Sequence, residues 1–251
     1  MGSMRRTIWI GYDPRETAAF AVAKYSIGQF DKHVPIHGVV LDRLREMRLY
    51  NRPTLEKLDD NGRRQLIDLL SVRSDYNGAI TSEHANARFL VPFLAGEGLA
   101  LFMDSDVMVR RNPNVLFEMA SRGDKAVYCV KHDYVPQETV KMDGQQQTSY
   151  WRKNWSSVML WNCDHEANKR LTLEKFNEVP GRDLHRLFWL SDDEIGELPP
   201  EWNYLVGVSK LNGEKPAIVH FTLGVPDMPG YENQEYADDW RAMRPYAVGA
   251  L

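Results

Sequence analysis

Leu99-Ala100-Leu101-Phe102-Met103-Asp104-Ser105-Asp106-Val107-Met108-Val109 is an apolar run broken by two carboxylates. Its first five residues, bounded upstream by Gly96 and Gly98, predict a strand buried on both faces, as in a mostly parallel α/β sheet. In such sheets ligands gather beyond the carboxyl ends of the strands, where Asp104 and Asp106 fall. Two close carboxylates among apolar neighbours repel each other and lose hydration; a divalent cation removes both penalties. Mg²⁺ and Mn²⁺ take oxygen ligands of this kind, commonly together with substrate phosphate oxygens. The same residues also suit an Asx turn, so the motif alone leaves two readings open.

Upstream, Thr7-Ile8-Trp9-Ile10 reads as a first strand and Gly11 to Glu16 as the loop leaving it. A helix is predicted from about Arg15, with Ala19, Val22, Ala23 and Ile27 on its apolar face and Pro14 in its first turn. Ile36 to Leu41 predicts a second strand, completing a strand-helix-strand unit. No Gly-x-Gly-x-x-Gly fingerprint is present, which argues against a dinucleotide cofactor. Arg43 to Leu70 is charged and predicted helical in part. Glu83 to Ala95 predicts one helix carrying Arg88, with Ala87, Leu90, Val91 and Leu94 at helical spacing and Gly96 as its stop.

Downstream, Val115 to Met119 predicts a helical turn, and Ala126 to Val130 and Ser157 to Trp161 predict strands. Between these strands, Lys131 to Lys153 is polar and aperiodic and carries Gln145-Gln146-Gln147; it is expected to be a mobile loop. Tyr150, Trp151 and Trp155 stand near its end and offer flat aromatic faces suited to packing against a ring. His165 to Phe176 and Gly181 to Leu190 predict helices, and Ser191-Asp192-Asp193-Glu194 an acidic turn. Leu198 to Asn203 reads as a rigid connection, Ala217 to Phe221 as a last strand with His220 at its end, and Glu235 to Met243 as a helix.

The 251 residues suit one large α/β domain over 1–251, and Met1-Gly2-Ser3 ahead of a second methionine reads as a cloning remnant. A formal net charge of −4 argues against a nucleic-acid partner, which needs a positive surface. Two cysteines, Cys129 and Cys163, are too few for a disulfide framework, and there is no secretory signal or membrane-length apolar run. A cytoplasmic location is expected; peripheral attachment to the inner face of a membrane and a homo-oligomer stay open.

Taken in order, these features resemble retaining glycosyltransferases of the GT-A fold, most closely glycosyltransferase family 8 and its bacterial relatives. The matching stretches are Gly11-Tyr12-Asp13, Asn86-Ala87-Arg88-Phe89-Leu90, Asp104-Ser105-Asp106 with Arg110 behind it, and Trp155 to Asn162. They continue with the acidic Ser191 to Glu194, then Leu198-Pro199-Pro200-Glu201-Trp202-Asn203, and His220 with Gly224 behind it. The family lysine that follows the histidine is absent between His220 and Met228. Its diphosphate role would fall to Arg88, Arg152 or Lys153.

The resemblance implies a GT-A fold, a mixed but mostly parallel central sheet flanked by helices. It also implies transfer of a sugar, with retention, from a nucleoside diphosphate donor, UDP first, to a carbohydrate, lipid-linked or protein acceptor. Asp104, Asp106 and His220 would hold the metal, Mn²⁺ in preference to Mg²⁺ because of the imidazole. Gly11, Tyr12, Asp13, Arg88, Asp104, Ser105, Ser156, Ser157 and Gly224 would contact the nucleotide sugar. Asp192, Asp193 and Arg88 would serve at the reaction centre. Read as residues alone, Tyr12 suits base stacking or packing, Asp13 a base contact or a helix cap, and Asp192 and Asp193 sugar hydroxyls or a cap. A non-catalytic nucleotide-sugar or carbohydrate-binding protein of this fold, or a nucleotidyltransferase, is the alternative.

Overall fold

The computed structural model describes residues 4–58, 62–73, 76–80, 82–132, 152 and 154–248. Most of the expected Lys131 to Lys153 loop, with its glutamines, Tyr150, Trp151 and Lys153, lies outside the described residues, as do residues 1–3.

In chain order the strands are β1 Arg6–Tyr12, β2 Ile36–Val40, β3 Thr54–Leu58, β4 Arg64–Arg73, β5 Tyr76–Ile80, β6 Leu99–Met103, β7 Val107–Val109, β8 Val127–Cys129, β9 Val158–Asn162, β10 Ile195–Glu197, β11 Tyr204–Leu205 and β12 Ile218–His220. The helices are α1 Thr17–Gly28, α2 Leu41–Glu46, α3 His84–Ala87, α4 Val91–Ala95, α5 Asn114–Ala120, α6 Leu173–Glu178, α7 Gly181–His185 and α8 Ala237–Val248. The main sheet runs β10-β8-β9-β6-β1-β2, with β9 antiparallel to both neighbours and the other pairings parallel.

Every residue of β6 is buried, and the strand feeds two cores. Ala100 and Phe102 join one with Trp9, Phe89, Leu90 and Trp161, while Leu99, Leu101 and Met103 join the other with Ile8, Ile10, Phe20 and Phe117. Burial on both faces explains why the sequence shows a continuous apolar run; each large side chain contributes about 1.5–3 kcal/mol. Gly98 makes the strand's entry possible: its φ is +77°, and a Cβ there would lie 2.3 Å from the Arg5 carbonyl oxygen.

Two segments differ from expectation. Arg43 to Leu70 is helical only through α2; beyond it the chain forms the antiparallel sheet β3-β4-β5. This small sheet is tied to the body by Arg52, which reaches Asp68 at 3.0 Å, the Val179 carbonyl at 2.8 Å and the Phe176 carbonyl. Glu83 to Ala95 is not one helix but α3, a 3-10 turn at Arg88–Leu90, and α4. Pro92 lacks the N–H that would carry a regular helix through its first turn, and so fits the start of a new segment. β6 stops at Met103, as expected, and Val107–Val109 beyond it is a separate strand. It enters a second sheet, β11-β12-β7, in which β7 pairs antiparallel with β12.

No helix among the described residues is long and apolar enough to cross a membrane. Cys129 and Cys163 are free, and burial pushes both thiols up to about 12.

Candidate metal and nucleotide site

The change of sheet after Met103 builds the site. β6 ends, Asp104 to Asp106 cross the gap, and β7 begins with Val107 in register with His220 of β12. The Phe221 amide donates to the Asp106 carbonyl at 2.9 Å, fastening the two segments at the aspartates. This backbone register brings together residues 114 positions apart: one ligand atom from each of Asp104, Asp106 and His220 falls within 4.8 Å of the others.

The imidazole is oriented from behind. Asn203 donates through its amide nitrogen to Ser157 Oγ at 2.8 Å, which turns its Oδ1 toward His220 Nδ1 at 2.9 Å. That Oδ1 can only accept, so Nδ1 carries the proton and the lone pair of a neutral ring sits on Nε2. Nε2 lies 3.1 Å from Asp106 Oδ1. Two electron-rich atoms face each other at that distance only with a cation or a proton between them. The donor set, two carboxylates and a back-bonded imidazole, fits a divalent metal such as Mn²⁺.

Asp104 is held by Arg88, whose guanidinium reaches its two oxygens at 2.8 and 3.2 Å. Arg88 also donates to the carbonyls of Ala85 at 2.7 Å and Ser156 at 2.8 Å, and its charge lies 5.2 Å from the Phe102 ring centre. The 3-10 turn that interrupts the expected helix thus carries the arginine to the end of β6. Ser157 accepts the Asp104 amide at 3.0 Å through its carbonyl, and Ser156 Oγ lies 2.8 Å from His185 Nδ1 at the end of α7.

A cleft opens over this cluster. Gly11, Tyr12, Asp13, Arg88, Asp104, Ser105, Asp106 and Gly224 of the expected set line it, joined by Arg15, Glu16, Ser82 and His84. Tyr12 packs edge-on against Phe20 at 5.1 Å. Asp13 caps the 3-10 turn at Pro14–Glu16, accepting from the Arg15 amide at 2.9 Å and pairing with its guanidinium at 2.6 Å. Burial raises the Asp13 carboxyl, but the Arg15 hydrogen bonds and the His84 charge outweigh it and leave it below its ordinary value. Burial lowers His84, against the pull of Asp13 and Glu83. Glu16 rises to about 7, mainly through burial and then through the negative charge of Asp106 and Asp13. Near the site, burial pushes His132 down to about 4.

Ser156 and Ser157 stand behind the cleft wall, as supports for Arg88, Asp104 and Asn203. Asp192 and Asp193 stand apart from it. Their turn immediately precedes β10, and neither is among the described residues that line the cleft. Asp192 pairs there with Arg152 at 2.6 Å, and Ser191 with Glu194 forms a capping box. Arg152 is itself occupied by the carbonyls of Arg186, Leu187 and Leu190. Of the three cations offered for the diphosphate, Arg88 lines the cleft, Arg152 is not among its lining residues, and Lys153 lies outside the described residues.

The chain is 38% identical over 240 residues to Protein CDI of Arabidopsis thaliana, covering 93% of this chain and 83% of that protein. No protein-family model matches it. Among solved structures it is similar to the galactosyltransferase LgtC in complex with donor and acceptor sugar analogs, with a TM-score of 0.59 at 14% identity over 96% of this chain and 95% of that one. The WbbM bifunctional glycosyltransferase gives a TM-score of 0.59 at 16% identity over 99% of this chain and 51% of that one. GlyE of Streptococcus pneumoniae TIGR4 gives 0.54 at 16% identity over 98% and 63%. The chain therefore spans about half of WbbM and less than two thirds of GlyE. These likenesses identify the fold as that of GT-A glycosyltransferases.

Proposed function

Because this chain belongs to the family of Protein CDI and has the GT-A glycosyltransferase fold, we propose that it is a metal-dependent glycosyltransferase. Its donor is a nucleoside diphosphate sugar, UDP-linked in the first instance, and its acceptor a carbohydrate, lipid-linked or protein hydroxyl. The observation that carries this reading is the Asp104-Asp106-His220 cluster at the carboxyl edge of the sheet, opening into a cleft that also contains Gly11 and Tyr12.

Asp104, Asp106 and His220 Nε2 would hold the metal, with Mn²⁺ preferred. When bound, the metal supplies a Lewis acid for the charge that grows on the departing diphosphate. Arg88 fixes the Asp104 carboxylate and adds positive charge to the cleft wall, a role that gains weight from the missing lysine after His220. Asn203 keeps His220 in the metal-binding tautomer. Gly11, Tyr12 and Asp13 form the end of the cleft suited to the base, and Ser105 and Gly224 complete its walls. Retention then needs no protein base if the departing phosphate takes the acceptor proton on the same face.

Incubating the protein with Mn²⁺ and a panel of nucleotide sugars tests this reading. Slow release of free sugar and nucleoside diphosphate from one donor, abolished by Asp106→Asn, is expected. The absent lysine favours a second reading, a nucleotide-sugar-binding protein without catalysis. Saturable donor binding with no hydrolysis or transfer above background would support that instead.

A further inference from the structure

Glu16 is a carboxylate of the cleft without an assigned task. It lines the same cavity as Tyr12, Asp104 and Asp106; its amide donates to the Asp13 carbonyl at 2.9 Å, and its side chain faces Ser105, the residue between the two aspartates. It therefore stands between the base end of the cleft and its metal end. Its one side-chain hydrogen bond among the described residues is a long one, from Ser105 Oγ at 3.5 Å. Asp13 is placed differently: four hydrogen bonds from Arg15 occupy both of its oxygens. Glu16 is thus the carboxylate on this wall with accepting capacity left for a ligand.

A carboxyl group at this point repels a diphosphate when ionised and, in either form, accepts hydrogen bonds from a neutral group rich in O–H donors. The part of a nucleoside diphosphate that lies between base and diphosphate is the ribose, whose vicinal hydroxyls suit the two oxygens of one carboxylate; acidic residues perform this task in dinucleotide-binding folds. Resting on the nucleotide-sugar reading above, we infer that Glu16 is a specificity residue that accepts hydrogen bonds from the donor ribose and makes the site select ribonucleotides over deoxyribonucleotides.

The test is titration of the full chain, in Mn²⁺, with the four ribonucleoside diphosphates and their 2′-deoxy counterparts. Wild type, Glu16→Gln and Glu16→Ala are compared. A hydrogen bond to a charged acceptor corresponds to a preference of roughly ten- to a hundredfold for the ribonucleotide in wild type. Glu16→Ala should bring the ribonucleotide down to the deoxynucleotide's affinity, with Glu16→Gln between, while thermal stabilisation by Mn²⁺ alone is retained. A wild-type ratio persisting in Glu16→Ala overturns the inference but leaves the glycosyltransferase reading intact. Loss of the Mn²⁺ response would make Glu16 a metal ligand and likewise overturn it. Absence of any nucleotide binding by wild type would overturn both.

Discussion

His220 Nε2 lies 3.1 Å from Asp106 Oδ1 while its Nδ1 is held at 2.9 Å by Asn203 Oδ1. One side of the ring is fixed by an acceptor, and the other is aimed at a carboxylate. The main-chain register of β7 on β12 produces this relationship, so the site depends on the topology as much as on its ligands.

Asn203 should therefore matter without touching the metal. Asn203→Leu removes the acceptor that selects the tautomer and is expected to weaken Mn²⁺ binding about 10- to 100-fold. Thermal shift against Mn²⁺ concentration measures this; unchanged affinity would show that the back-bond has no role in metal binding.

Arg88 joins Asp104 to the Ser156 carbonyl. Arg88→Ala withdraws the guanidinium from the Asp104 carboxylate and the Ser156 carbonyl, and a loss of about 2–3 kcal/mol in urea unfolding is expected. Arg88→Lys should recover part of this but not the two-oxygen grip on Asp104, which needs a planar fork.

Gly98 sets the entry to β6. Gly98→Ala places a methyl group against the Arg5 carbonyl at positive φ, with an expected cost of about 3 kcal/mol. A melting temperature within a degree of wild type would contradict the close approach.

His132 gives the stability a defined acid limb. Its ordinary value is 6.5 and burial takes it to about 4, so between these pH values the unfolded chain binds the extra proton. Its contribution is full above pH 6.5 and is lost as pH falls toward 4. Replacing it in His132→Gln should flatten the difference in unfolding free energy between pH 7.5 and pH 5 relative to wild type.

The sequence made β6, the β1-helix-β2 unit and the Asp104-Asp106 pair legible because burial on both faces leaves an unbroken apolar run. The small sheet was hidden for the opposite reason. In β3, Leu55 to Leu58 are all exposed, so no alternation marks the strand, and its Leu, Glu and Lys residues suit a helix as well. His220 could be joined to the aspartates only through the family's order of motifs, since nothing local reveals the register of β7 on β12. The acidic turn at Asp192 and Asp193 follows the expected order but is not among the described residues that line the cleft. The helical region just before it, α7, is what reaches the site, through His185 and Ser156. Glu16 has no distinguishing local signal, because an acidic residue beside a helix start is common for its effect on the helix dipole alone.

The most direct test of the central claim is isothermal titration of UDP into wild type and Asp106→Asn, each with Mn²⁺ and after chelation. The account predicts tight binding for wild type in Mn²⁺ alone and weak or undetectable binding in the other three cases. Equal UDP affinity with and without the metal in wild type would contradict it.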